Sequence, residues 1–334
     1  MFDRKRSGKN GNGVTAAVRA KHSKQFNRYR SSFVLLVSSS HERLGQRLKN
    51  ELARRRAEFE APEIERSVFA DGENYLRADC GERGERGFNG KTVYVLGSVH
   101  SQSSEQKNYL LEMLLLLSAA KANGASRVCA LLPFYAYGRQ ERVNKPGEAL
   151  SALAVRDALL AAGADEIVAV DVHAPHAIHG VRNLLPTWLF AERARELLGL
   201  KALLPGKVAV FAPDKGSYDR AVALAKLLKS RRGPARVAWA EKQRPEHDKS
   251  FIAAFHGDVE GFDVVTWDDI ASTLGTLSHG VKHLKELGAK RVFVFATHGV
   301  LVGKAWRRLG ESRLEKFIIS DSIPLEHRAL SLDD

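Results

Sequence analysis

From Ser32 onward, short apolar runs alternate with longer stretches in which apolar residues return every three or four positions. Runs of four to six residues rich in Val, Ile and aromatics suit buried strands, whereas the longer period suits helices that cover a sheet. The pattern predicts strands over 33–37, 92–96, 127–132, 166–170, 208–211, 237–239, 264–267 and 291–295. Between them it predicts helices over 108–123, 151–162, 189–198, 218–230 and 274–287. Strands alternating with helices imply the α/β class, each sheet mainly parallel and flanked by helices. Asn123-Gly124 and Ala162-Gly163 each put a glycine just past a helix, where the chain turns left-handed and a Cβ is unwelcome. The same Gly-Ala passage from helix to strand recurs over 121–128, 160–167 and 285–292, and two similar domains divided near Gly180 are the simplest partition. The expected units are 32–180 and 181–334, with the final segment free to pack back on the first domain.

Composition adds bounds. With 334 residues, 44% hydrophobic and 27% charged, the chain has material for two cores and lacks the signature of disorder. Cys80 and Cys129 are too few for a disulfide framework, no run reaches the roughly 20 apolar residues of a membrane helix, and a cytoplasmic setting is expected. The net charge of +13 is unevenly placed: nine basic residues against Asp3 leave +8 within residues 1–31. That segment, with Gly8, Gly11 and Gly13 and few apolar residues, reads as a basic, disordered arm. A solvated tail and a nucleic-acid contact both fit it, and nucleic acid is left to this arm alone.

The most informative stretch is Asp263-Val-Val-Thr-Trp-Asp-Asp-Ile-Ala-Ser-Thr-Leu-Gly-Thr276. A buried strand is expected to end in two acids, after which a short loop of small and hydroxylated residues opens a helix. Open N–H groups at a helix start suit a phosphate, Ser272, Thr273 and Thr276 add hydroxyls, and Gly275 allows close backbone approach. Asp268 and Asp269 would repel that phosphate and suit sugar hydroxyls or a metal instead. A capped helix with an acidic start is the purely structural alternative.

The loop resembles the signature of the type I phosphoribosyltransferase fold, and further segments resemble one family, the ribose-phosphate pyrophosphokinases or phosphoribosyl pyrophosphate synthetases. Phe69-Ala-Asp-Gly-Glu73 looks like that family's adenine-contacting turn, which reaches an ATP site in a neighbouring subunit. Asn108-Tyr-Leu-Leu-Glu-Met113, Leu132-Pro-Phe-Tyr-Ala-Tyr-Gly-Arg-Gln-Glu-Arg142, Asp171-Val-His-Ala174 and Pro213-Asp-Lys-Gly-Ser217 resemble further family motifs. So do Glu241-Lys-Gln-Arg244, similar to a mobile catalytic loop, Thr297-His-Gly-Val-Leu-Val-Gly303 and Ser320-Asp-Ser-Ile-Pro324. The likeness runs in order from about Phe69 to Pro324.

By that resemblance, Phe69, Asp71, Gly72, Glu73, Arg139, Gln140 and His173 bind ATP, and Lys242 and Arg244 are catalytic. Asp268, Asp269, Ser272, Thr273, Leu274, Gly275 and Thr276 bind ribose 5-phosphate, and His173 and Asp214 contact Mg2+. The resemblance implies transfer of the diphosphoryl group of ATP to ribose 5-phosphate in a homo-oligomer with shared ATP sites. There are departures: Ser272 replaces an acid, Leu274 stands where Ala or Gly is usual, Lys215 and Ser217 alter a glycine-rich turn, and 180–186 has lost its acids. They leave room for a weak or inactive regulatory relative; a phosphoribosyltransferase would not explain 69–73 or 139–140. A zinc site at His173, His176 and His179 is set aside, because the segment leaves a strand, contains Pro175 and lacks the helical geometry to converge three imidazoles.

Overall fold

The computed structural model describes residues 32–79, 87–98, 109–199, 207–228, 233–246 and 249–324, and of 242–253 only the backbone. The basic arm, Cys80 and Asn108 lie outside the described residues.

The first unit opens with β1 (Phe33–Val37), helix α1 (Glu42–Arg54), β2 (Phe59–Glu60) and a hairpin of β3 (Ile64–Val68) and β4 (Asn74–Ala78). Then follow β5 (Thr92–Leu96), α2 (Tyr109–Ala122), β6 (Arg127–Leu132), α3 (Ser151–Ala161), β7 (Glu166–Val170) and β8 (Val181–Leu184). Six strands form one sheet in the order β2-β1-β5-β6-β7-β8, with every pairing parallel. Because β8 pairs with β7, the first sheet ends at Leu184, four residues beyond the expected division at Gly180.

The second unit repeats the scheme with α4 (Thr187–Leu198), β9 (Val208–Ala212), α5 (Tyr218–Leu227), β10 (Arg236–Glu246) and β11 (Lys249–His256). It closes with β12 (Asp263–Ala271), α6 (Gly275–Glu286), β13 (Arg291–Gly299), α7 (Ala305–Glu311) and β14 (Lys316–Ile319). The order β11-β10-β9-β12-β13-β14 is parallel except for the antiparallel β10–β11 edge. In both units the first strand sits inside the sheet, the second goes outward, and the chain then crosses back. Each carries one antiparallel hairpin, β3–β4 or β10–β11.

The cores explain the elements. Helix α2 is apolar on nearly every face, so Met113, Leu116 and Leu117 are fully buried in the same cluster as Val93, Val95 and Val128 of the sheet. In the second unit Phe190 meets Trp267 edge-on at 5.3 Å and Phe295 at 5.4 Å between ring centroids, while the Trp267 indole N–H donates to Thr297 Oγ1 at 2.9 Å. The expected Gly caps have their left-handed backbone, with φ of 85° at Gly124 and 113° at Gly163.

Several boundaries differ from the sequence pattern in one direction. β12 was expected to end at 267 and β13 at 295, but the ladder continues to the pairs Asp268↔Ala296, Ile270↔His298 and Ala271↔Gly299. Two acids inside a strand break the apolar pattern, yet their backbones pair because these strand ends are buried where the units meet. Glu241–Arg244, expected in a loop, lies instead on β10, where Lys242 faces Ile252 and Gln243 faces Phe251 across the hairpin. Its register slips on both sides of that pair of rungs, at Glu241/Lys242 and again at Gln243/Glu246. Helix α1 escaped the pattern because only Leu44, Leu48 and Leu52 mark its apolar stripe.

Candidate active site at the meeting of two sheets

The carboxyl ends of β7 and β12 converge, and what holds them together is a buried ionic network. Asp171 follows β7, is fully buried and has φ of 42°, a left-handed conformation uncommon for a residue with a side chain. Its carboxylate accepts from Arg220 Nε of α5 at 3.0 Å and, by a short bond, from Thr297 Oγ1 of β13. Arg220 also pairs with Asp269 of β12 at 3.5 Å, and Asp269 Oδ2 takes His173 Nδ1 at 2.7 Å. One guanidinium thus neutralises an acid from each unit. Burial pushes the Asp171 carboxyl up despite Arg220, and burial pulls Arg220 down, but its three neighbouring carboxylates more than reverse that.

The neighbouring acids part ways. Burial and the charge of Asp269 raise Asp268, whereas Asp269, although burial opposes it, is held far down by His173 and Arg220. The hydrogen bond to Asp269 raises His173 above the usual imidazole range. Asp269 is therefore the committed anion, and Asp268 is the acid that keeps protonation in play near neutrality.

A second junction lies behind the first. His298 Nε2 faces the carbonyls of Val170 and Asp171 at 3.1 and 3.3 Å and so donates; its Nδ1 meets the Ser322 hydroxyl at 2.8 Å. His41 Nε2 donates to the Ser322 carbonyl at 2.9 Å, so the described segment after β14 is pinned to the first unit. Burial lowers the pKa of His298 to about 4 and also lowers that of His41, keeping both rings neutral.

These contacts close a cavity of about 1080 Å³ between the units, lined among others by His173, Asp214, Arg220, Trp239, Asp268 and Asp269. Asp214 leads a single 3-10 turn, where its Oδ1 accepts from Ser217 N and Ser217 Oγ, each at 3.0 Å. The Ser that departs from the family pattern thereby anchors the acid. His173 Nδ1 is engaged by Asp269, which leaves Nε2 for a ligand. One imidazole nitrogen with carboxylate oxygens nearby fits a hard cation that takes most of its ligands from phosphates and water; among the described residues no three His, Cys, Asp or Glu side chains form a metal cage.

Ser272–Thr276 joins β12 to α6. Leu274 takes φ of 58° and turns its side chain inward, 5% exposed, among Ala271, Ala296, Leu301 and Ala305. Its bulk therefore leaves the loop's open side clear. Helix α6 has no side-chain cap, and among the described residues the N–H groups of Thr273 to Thr276 meet no protein acceptor. Such a run of open donors is an anion cradle.

Phe69, Asp71, Gly72 and Glu73 form the tip of the β3–β4 hairpin, and none of them lines this cavity. Phe69 is 55% exposed, and Gly72, with φ of 92°, completes the turn by donating to the Phe69 carbonyl at 2.9 Å. Arg139 and Gln140 are also exposed. Lys242 and Arg244 have described backbones only; their side chains lie outside the described part of the structure.

The family pattern for the N-terminal domain of ribose phosphate pyrophosphokinase matches residues 33–163, and that for the phosphoribosyl synthetase-associated domain matches 238–333. The ribose-phosphate pyrophosphokinase of Caldanaerobacter subterraneus is 32% identical over 298 residues, 89% of this chain and 88% of that protein. The chain belongs to the ribose-phosphate pyrophosphokinase family. The Aquifex aeolicus pyrophosphokinase is 35% identical over 78% of each chain. The crystal structure of phosphoribosylpyrophosphate synthetase from Mycobacterium smegmatis aligns with a TM-score of 0.72 at 30% identity, covering 89% of this chain and 91% of that one. No helix among the described residues is long and apolar enough to cross a membrane.

The motifs of the sequence do not single out Arg220, although a signal for it is there. Arg220 lies one turn before Leu224 on the apolar stripe of α5, a place where an unpaired cation would be costly. Arg220→Met should lower stability to urea by about 3 kcal/mol, since it strands two buried carboxylates. Arg54→Ala, which breaks an exposed pair with Glu51, should leave the midpoint nearly unchanged.

The neutral histidines also predict a pH dependence. The unfolded chain binds protons near pH 6.5 that His298 and His41 refuse when folded, so their stabilising contribution is present above that pH and is lost as pH falls toward 4. His173 works oppositely, adding stability below about pH 6.5 that is lost as pH rises through its elevated pKa. The raised carboxyls of Asp268 and Asp171 act in the same direction as His173, so the test is differential: from pH 7 to pH 5 the urea midpoint of the parent should fall relative to that of His298→Gln.

Proposed function

We infer that this chain is a transferase that moves the β,γ-diphosphoryl group of ATP to the C1 hydroxyl of ribose 5-phosphate, giving phosphoribosyl pyrophosphate and AMP for nucleotide biosynthesis. The observation that carries this is the end-to-end likeness to ribose-phosphate pyrophosphokinases, 89% of the chain at 32% identity. The site agrees with it, since Asp268 lines the cavity between the units and also, with Thr276 at the start of α6, a small hollow beside the open N–H groups of the loop.

In this reading the 5-phosphate sits on the N–H groups and hydroxyls of 272–276, and Asp268 accepts from a ribose hydroxyl. Asp269, tied to His173 and Arg220, fixes the position of both. By the family likeness Lys242 and Arg244 would supply positive charge to the transferring group, and Arg139 and Gln140 hold ATP. His173 and Asp214 would hold Mg2+, which when bound neutralises the phosphate charge of ATP. The reaction asks for alignment and charge neutralisation more than for a covalent intermediate. The setting is cytoplasmic, where ATP and the sugar phosphate are both at hand.

The exposed hairpin tip supports assembly. Phe69, Asp71, Gly72 and Glu73 would complete the adenine pocket of an adjoining subunit, because Phe69 offers an unburied ring and the tip does not line the cavity between the units.

AMP release from ATP plus ribose 5-phosphate tests the reaction directly. Lys242→Ala should keep the fold and lower turnover at least about a hundredfold; equal rates would remove Lys242 from the mechanism.

Mixing Asp71→Ala with Lys242→Ala, each inactive alone, should restore partial activity once subunits exchange. No recovery despite demonstrated exchange would mean that each pocket is built within one chain.

A further inference from the structure

The cradle needs its N–H groups turned outward, and a loop of five residues has no ladder of its own to turn them. Its carbonyls show how this is done. Ala271 O accepts from Val300 N and Leu301 N at 2.9 and 3.0 Å, and Ser272 O from Val302 N at 3.1 Å. Leu274 O accepts from Ser278 N at 2.9 Å inside α6, and Gly275 O from His279 Nδ1 at 2.8 Å. The remaining carbonyl, Thr273 O, lies at the left-handed Leu274 step, where the backbone is least self-supporting. It accepts from Arg308 Nη1 of α7 at 2.7 Å.

Because the C=O and N–H of one peptide point in opposite directions, a donor that holds Thr273 O also directs Leu274 N–H away from itself, toward the open side. Arg308 is suited to this. Its neighbour Arg307 pairs with Glu311, whereas among the described residues no carboxylate pairs with Arg308. Its guanidinium also lies against Gly275, where a Cβ would stand 3.3 Å from Nη1 and 3.6 Å from Cζ. Gly275 has an ordinary negative φ, so a methyl added there would meet the Arg308 guanidinium and not backbone strain.

We propose that Arg308 is a positioning residue for sugar-phosphate binding: it pins the Thr273–Leu274 peptide so that the loop's N–H groups face the 5-phosphate, and it acts on that substrate and not on ATP. The proposal rests on the reading that 272–276 holds ribose 5-phosphate. A charged donor on a carbonyl that nothing else in the loop supports should be worth about a tenfold change in affinity.

The test uses the full chain and separates the two kinetic constants. Arg308→Ala should raise KM for ribose 5-phosphate about tenfold, with KM for ATP and kcat changed less than about twofold, and Arg308→Lys, which keeps a charged donor, should recover much of the loss. Calorimetric titration with ribose 5-phosphate should show the same split. Gly275→Ala should weaken sugar-phosphate binding in the parent and cost much less in the Arg308→Ala background, where the added methyl has room. Unchanged KM for ribose 5-phosphate in Arg308→Ala, an equal rise in both KM values, or strictly additive effects with Gly275→Ala would overturn the proposal. Gly275→Val is the control: if it leaves sugar-phosphate binding intact, the loop assignment itself fails. If Gly275→Val abolishes binding while Arg308→Ala does not alter it, only the role of Arg308 falls.

Discussion

A single guanidinium sets the terms for the rest of this molecule. Arg220 is taken out of water between Asp171 of one unit and Asp269 of the other, and its charge offsets the burial that works against both carboxylates. Its two paired carboxylates come from elements far apart in the chain, Asp171 after β7 and Asp269 on β12, so the network forms only when both sheets are built and meet in one orientation. That requirement makes it an alignment device more than a source of net stability. The geometry it enforces is what allows β12 and β13 to run on as paired strands to Ala271 and Gly299, carrying the acids to the edge of the cavity.

Around this centre the polar groups are matched with little left over. Asp171 gives its carboxylate to Arg220 and Thr297, and its carbonyl to His298. Ser322 meets both His41 and His298, so the last described segment closes the junction from behind with two neutral imidazoles. The open donors lie elsewhere, at the start of α6, where the carbonyls of the loop are all occupied and its N–H groups are not. Contrast between a satisfied interior and one unsatisfied edge is what an anion site requires.

The departures from the family pattern look different in this light. Leu274 spends its bulk on an apolar cluster under the loop, and Ser217 turns a glycine-type turn into a cap that holds Asp214. Lys215 is exposed on the same turn and beside the cavity, adding a cation where anionic substrates would enter. Each substitution alters how the site is braced while leaving its donors and acids in position.

The sequence by itself determined the order of the central strands and of five of the helices, because short apolar runs and a 3.6-residue period are written directly in which positions are apolar. It also carried the motif residues of the phosphate loop, the acids before it and the hairpin tip, all local patterns readable over a dozen positions. Only the tertiary structure decided that β8 belongs to the first sheet, that Asp268 and Asp269 sit on a strand, and that Arg220 and Arg308 serve the site. Those facts depend on contacts between residues 14 to almost 100 positions apart, Ile167 with Val181, Arg308 with Thr273 and His173 with Asp269 among them. A periodicity reports which face of an element is buried; it does not report against what, and a charge on a buried face acquires its meaning from the partner that folding brings to it.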